Sequence, residues 1–343
     1  MIGVHHEFLE LVSRFPRFLR LEALGEVQTL KGVEPIYSFS ICDHEQPECG
    51  SLPVLALFGG VHGVETIGVD VLHACIEHLA SQLSWNEHLG ELFRKVRLIG
   101  IPVVNPAGHW AETRCNGNGV DLMRNAPVDS PTPTFLFGGQ RFSAHLPYYR
   151  GGGLELESKL LIDLVRNLVF PAPFGICLDI HSGFGWDDSL WTPYARQKGY
   201  PPNWPCYMRL KATLDMALRH HVYKFEPQSE NYCAAGDLWD YLMDEHRQLN
   251  PDAQGVFLPL TLEIGAWRWI KKSPTRQIRA LDLFNPVPPH RRERVLRHHI
   301  PLLDLLLSIA ANYKRVFTNE ETESSPARRE TFRIINSKTP SQN

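Results

Sequence analysis

Apolar residues follow two spacings along this chain. Short unbroken runs occur at Leu52–Phe58 (LPVLALF), Val96–Val104 (VRLIGIPVV), Phe174–Ile180 (FGICLDI) and Val256–Ile264 (VFLPLTLEI). Runs of this length, bounded by Gly, Pro or polar residues, predict strands buried on both faces. Between them, apolar positions recur every three or four residues. Ile67, Val71, Leu72, Ile76, Leu79 and Leu83 predict an amphipathic helix over Val64–Leu83. The same spacing predicts helices at His5–Ser13, Glu155–Leu168, Tyr207–His221, Ala234–Gln248 and Arg292–Val316, the last with a kink expected at Pro301. Arg17–Thr29 and Pro35–Cys42 alternate apolar and polar residues, as half-buried paired strands do.

A strand, a helix and a second strand over Leu52–Val104 predict a crossover unit with a parallel pair. Continued alternation argues for one doubly wound α/β domain over residues 1–317. Residues 318–343, polar and poor in large apolar groups, are expected to form a disordered tail. Two stretches lack a regular pattern: Asn105–Gly153, rich in Pro, Gly and Asn, and Pro193–Pro205. An irregular segment as long as Asn105–Gly153 inside a domain is usually functional or disordered, and Asp129–Gly153 with Gly185–Pro205 are expected to line a pocket.

Composition narrows the class. Of 343 residues, 43% are hydrophobic and 21% charged, as in ordinary globular proteins. A net charge of -3 offers no basic footprint for nucleic acid. No apolar run approaches membrane-spanning length and no leader pattern opens the chain, so no membrane partner is expected and a cytoplasmic location is. The seven cysteines are scattered without a Cys-x-x-Cys pair, and most are expected to be buried free thiols.

The chemistry concentrates where predicted strands end. His62 and Glu65 follow the first central strand at a spacing that puts both on one helix face. The bare pattern is weak, since it recurs at His88/Glu91 and His290/Glu293, both in polar settings that predict solvated residues. Only His62 sits at the mouth of a buried strand, where open α/β sheets bind ligands. His181 ends another such strand. Two His and one carboxylate suit a catalytic zinc with an open fourth position. Glu263, near the end of the last strand, is a candidate general base, or a carboxylate paired with Arg268. Asp179 is placed on the strand face opposite His181, as a support for the site or as an ion-pair partner. Arg114 and Arg124 lie in the irregular segment. One could stabilise an oxyanion, and the other could grip a substrate carboxylate.

In this order, VHGVE, NPAGHWAETR, NGNGVDLMRN, LDIHSGFG and LTLEIGAW resemble the zinc carboxypeptidase family of the carboxypeptidase A type, over roughly Leu52–Trp267. The resemblance implies a mixed, mostly parallel eight-stranded sheet between helices, holding one zinc ion. It matches His62, Glu65 and His181 to the metal ligands. It matches Arg114 to the arginine that polarises the carbonyl, Glu263 to the catalytic glutamate and Tyr232 to the mobile tyrosine. Arg124, with its neighbour Asn125, is matched to substrate binding. The implied reaction is hydrolysis of a peptide or amide bond near a free carboxylate, on a small peptide or an acylated amino acid. One departure stands out: Met123 occupies the place of an asparagine that helps hold a terminal carboxylate, and it cannot donate a hydrogen bond. NGNGVDL followed by a helix is closer to bacterial murein-peptide amidases. Deacylases of N-acyl amino acids share the metal motif, but usually carry a C-terminal β domain where Arg292–Val316 reads helical. A ligand-binding protein on a retired enzyme scaffold is the reading from a different class.

Overall fold

The structure is a computed structural model that describes residues 3–46, 49–250, 255–267, 271, 280–286 and 288–317. The expected tail 318–343 and Arg268 lie outside the described residues. Eight strands form one sheet: β1 (Leu19–Thr29), β2 (Gly32–Ile41), β3 (Val54–Gly59), β4 (Arg97–Ile101), β5 (Phe174–Ser182), β6 (Ser189–Thr192), β7 (Lys224–Pro227) and β8 (Val256–Ile264), in the order β1-β2-β4-β3-β5-β8-β6-β7. The centre, β4-β3-β5-β8, is parallel throughout. β1 and β2 join it antiparallel, and β6 joins β8 antiparallel before pairing in parallel with β7.

The unbroken apolar runs are the central strands. Every residue of β3, β4 and β5 is buried, which requires cover on both faces. Helix α1 (Gly3–Arg14) packs on β1 and on α2 (Thr66–Gln82). Helix α2 and the long helix Pro289–Ala311 pack on each other and on β3 and β5. The long helix runs on through Pro301. Helix α5 (Leu156–Leu168) packs on α7 (Leu238–Leu249), and α7 packs on β8. Short helices α3 (Glu87–Leu92) and α4 (Pro106–Ala111) and the larger α6 (Trp204–Ala217) complete the connections.

Two expectations are corrected. β6 and β7 fall in stretches read without strands; at four residues each they are too short to show a period. Cys42 and Cys49 form a disulfide, while Cys75, Cys115, Cys177, Cys206 and Cys233 are free thiols. Among the described residues, no helix is long and apolar enough to cross a membrane.

Candidate metal centre

β3 feeds β4 on one side and β5 pairs on its other side, so a crevice opens at the carboxyl ends of β3 and β5. His62 follows β3, Glu65 stands at the N-terminus of α2, and His181 lies near the end of β5. Gly63 allows the tight local packing: a Cβ there would meet the Gly108 carbonyl carbon at 1.9 Å, so the HGVE turn rests directly on the backbone of α4. His62 Nδ1 is 2.8 Å from Glu65 Oε1, and His181 Nδ1 is 3.0 Å from Glu65 Oε2 and 3.1 Å from His62 Nδ1. Two imidazole nitrogens and a carboxylate thus face one point, and all three residues are buried.

Each ring is held from behind. His62 Nε2 lies 3.0 Å from Asp121 Oδ1, and His181 Nε2 lies 2.8 Å from Asp179 Oδ2. Residues two apart on a strand share a face. Asp179 therefore lies on the face of His181 and not opposite it, where Trp239 Nε1 also donates to it at 3.0 Å. Asp121, hydrogen-bonded behind His62, fixes the tautomer that leaves its inner nitrogen free for a metal, and Asp179 places a negative charge behind His181. Asp121, to which sequence reading assigned no role, holds His62 and also accepts from Arg114 Nε at 2.8 Å. These donors fit a zinc ion, and the inward nitrogens 3.1 Å apart need a cation or a proton between them.

Charge balance agrees. Burial favours the neutral form of Glu65, but His62 and His181 outweigh it and hold the carboxyl well below its ordinary pKa. Asp121, equally buried, is held low by Arg114 and His62. Burial pulls His181 down, but Asp179 and Glu65 overcome it and push the ring well above its usual value. A buried site built to keep two carboxylates ionised is built for positive charge.

Glu65 precedes the first residue of α2, yet its carboxylate does not cap the helix; it accepts from Ser182 N at 3.1 Å. The cap comes from far along the chain. Asn285 Oδ1 accepts from Ile67 N at 2.8 Å and from Thr66 Oγ1 at 3.0 Å, and its Nδ2 donates to Val64 O at 2.7 Å. No local signal could have shown this partner, which lies over two hundred residues away.

Glu263 and His181 are direct register partners on β8 and β5. Phe184 N donates to Glu263 Oε1 at 2.8 Å. Burial, reinforced by negative Glu65, pushes Glu263 up to about 8. Arg114 reaches Glu65 Oε1 at 3.4 Å and stacks over Tyr148 at 5.2 Å.

Arg124 is almost fully buried. It donates to the carbonyls of Phe137 (3.2 Å) and Met123 (3.1 Å) and lies 5.7 Å from the rings of both Tyr148 and Tyr232. Gly236 makes room beside it: the residue has φ +78° and a Cβ there would meet Arg124 O at 1.9 Å. Tyr232 sits among Phe137, Phe184 and Trp191. All of these border one cavity of about 300 Å³, together with His62, Glu65, His181, Glu263, Arg114 and Met123. Phe137 and Tyr148 come from Asp129–Gly153 and Trp191 from Gly185–Pro205, the two segments expected to line a pocket; which of their side chains would form the walls was not readable. Asn125 is the exception among the expected site residues. Its amide donates to the carbonyls of Arg150 and Gly153 and accepts from Glu155 N, so it braces the loop and does not border the cavity. His88 and His290 are exposed, as expected.

A family model described as zinc carboxypeptidase matches residues 5–266. The chain belongs to the zinc carboxypeptidase family. Its curated relatives include the carboxypeptidase N catalytic chain of Rattus norvegicus, 26% identical over 48% of this chain and 40% of that protein, and carboxypeptidase Z of Mus musculus, 27% identical over 38% and 22%. The matched part thus spans two fifths or less of these relatives' length. Among solved structures, the fold is shared with thrombin activatable fibrinolysis inhibitor (TM-score 0.67, 16% identity, 90% of this chain and 73% of that one). It is shared equally with carboxypeptidase A of Helicoverpa armigera (TM-score 0.66, 20% identity, 91% and 73%). The shared fold in this chain is a mixed eight-stranded sheet with helices against it.

Proposed function

We propose that this protein hydrolyses a peptide or amide bond beside a free carboxylate. Arg124 carries this reading. It is a buried guanidinium bordering the metal-ligand cavity, and among the described residues no carboxylate lies at ion-pair distance from it. Asp121 and Asp237 act on this buried cation only at a distance, and a substrate carboxylate bound bidentately supplies the contact partner it lacks.

A zinc ion held by His62, Glu65 and His181 supplies, when bound, Lewis-acid activation of the scissile carbonyl and of the attacking water. The remaining roles fall to side chains. Glu263, fixed through Oε1 by the Phe184 N–H and ionised when a cation at the three ligands offsets the negative Glu65 that helps raise its pKa, would take a proton from that water and return it to the leaving nitrogen. Arg114, held by Asp121, directs its guanidinium at the oxygen that gains charge. Tyr232 covers the substrate from the aromatic side of the cavity. Apart from these groups the wall is largely aromatic, with Phe137, Tyr148, Phe184, Trp191, Trp267 and Phe284 beside Met123, and its other polar side chains, Ser182, Gln228 and Thr261, are neutral. It carries no further charge among the described residues, so the terminal side chain it accepts is neutral and apolar.

Met123 favours one second reading, a peptide amidase or deacylase whose substrate carboxylate rests on Arg124 without an asparagine beside it. A panel of peptides and acylated amino acids separates the two. Zinc-loaded protein is expected to release neutral C-terminal residues, at least 10²-fold faster from a free than from an amidated terminus. Preference for acylated amino acids or internal amides selects the second reading. Zinc-loaded protein that binds these ligands but hydrolyses none is a binding protein and ends both.

A further inference from the structure

A second histidine–carboxylate cluster borders a separate cavity of about 290 Å³. Asp188 immediately precedes β6, and His298 and His299 lie in helix Pro289–Ala311. Asp188 Oδ2 is 3.6 Å from His298 Nε2 and 3.7 Å from His299 Nε2. The three atoms all lie within 4.8 Å of one another. His299 is fully buried, and its Nε2 has no hydrogen-bond partner. Nε2 of His298 is also buried and without one, although that ring is partly exposed. A buried polar atom left without a partner is costly, and two aimed at one carboxylate call for a ligand.

Both components of the cluster are oriented from behind. Tyr223 Oη lies 2.9 Å from His299 Nδ1 and donates to the His298 carbonyl at 3.4 Å. With its proton so used, the phenol accepts from Nδ1–H, and the lone pair of His299 is left on Nε2. Asp188 Oδ1 accepts from Gly265 N at 3.0 Å, which turns Oδ2 toward the rings. Donors in a tetrahedral zinc site stand about 3.4 Å apart, so the two carboxylate–imidazole separations are near that spacing and the two imidazole nitrogens lie within 4.8 Å of each other.

We propose that Asp188, His298 and His299 bind a second divalent transition-metal ion. Two imidazoles and one carboxylate select zinc, cobalt or nickel over magnesium or calcium. Arg291 and Arg294 border the same cavity and favour an anion as the remaining ligand. Gly265 follows Glu263 by two residues, so an ion here ties the rim of the first site to the long C-terminal helix.

Metal counting on the full chain tests this. Protein stripped with chelator, then saturated with zinc chloride and desalted, is expected to hold two equivalents. Asp188→Asn keeps the acceptor for Gly265 N, and His298→Gln alters a partly exposed ring; each is expected to hold one. His62→Ala is expected to lose the other equivalent and keep this one. With cobalt, the visible absorption that persists in His62→Ala should disappear in the His62→Ala/Asp188→Asn double variant. The proposal is overturned if the wild type saturates at one equivalent that His62→Ala abolishes. It is also overturned if folded His298→Gln and Asp188→Asn both retain two.

Discussion

Two clusters in this molecule offer the same donors, two histidines and one carboxylate, and differ in what stands behind them. At the sheet centre each ring has its own carboxylate, Asp121 for His62 and Asp179 for His181, and Glu65 is held by Arg114 and the Ser182 N–H. At the edge, one phenol supports His299, and a backbone N–H orients Asp188. Negative charge behind an imidazole raises its basicity and fixes its direction; a phenol fixes direction alone. The central cluster also faces the cavity that holds Glu263 and Arg124, and the edge cluster does not. The same three ligand types therefore make a centre equipped for chemistry in one place and a clamp in the other.

The sharpest way to break this contrast is to remove the reacting groups and leave the donors. Glu263→Gln should lower kcat about 10³-fold while zinc content stays unchanged, since general-base loss is worth 10²–10⁴. If turnover is unchanged, Glu263 is not the general base, and it does not set the central cluster apart from the edge one. Arg124→Gln should cut kcat/KM about 10²-fold for free-carboxylate substrates, mostly through KM, and leave amidated ones unaffected. Asp121→Asn should weaken zinc binding at the centre by 10- to 100-fold, measured by competition with a chelator. A smaller loss makes the two clusters alike.

His5 extends the comparison to a buried imidazole with no partner for either nitrogen. Burial lowers its pKa to about 4. The unfolded chain binds this proton near pH 6.5, so stability falls as pH drops from 6.5 toward 4. His5→Phe should remove about 2–3 kcal/mol of that dependence in denaturant titrations. An unchanged slope means that burial alone does not set a histidine's charge here. The smallest effect is expected at Asn285. Replacing it with Ala should cost about 1 kcal/mol of stability through loss of the α2 cap, with zinc retained. Loss of zinc instead would show that Asn285 holds Glu65 in place.

Much of the central site was legible before any fold was known. His62, Glu65, His181 and Glu263 each end or follow an apolar run, and a buried strand ends in a predictable place. The eightfold sheet was harder. SLWT lies between β8 and KFEP, and KFEP is the sheet edge; the pairing of both depends on β8 and on each other. Asn125 stood beside Arg124 in sequence, yet its side chain turned to Gly153 and Glu155. Cys42 and Cys49, seven residues apart, gave no pairing signal in the sequence.

Local spacing of apolar residues was enough to define six of the eight strands, most helices and the strand ends where the candidate ligand residues gather. That information is short-range, since burial and backbone geometry repeat every two to four residues. Which carboxylate backs which ring, which asparagine caps α2, and which arginine is left facing a cavity were settled by folding alone. Those choices join residues far apart in the chain, and their energies exist only once the sheet has brought them within hydrogen-bonding reach.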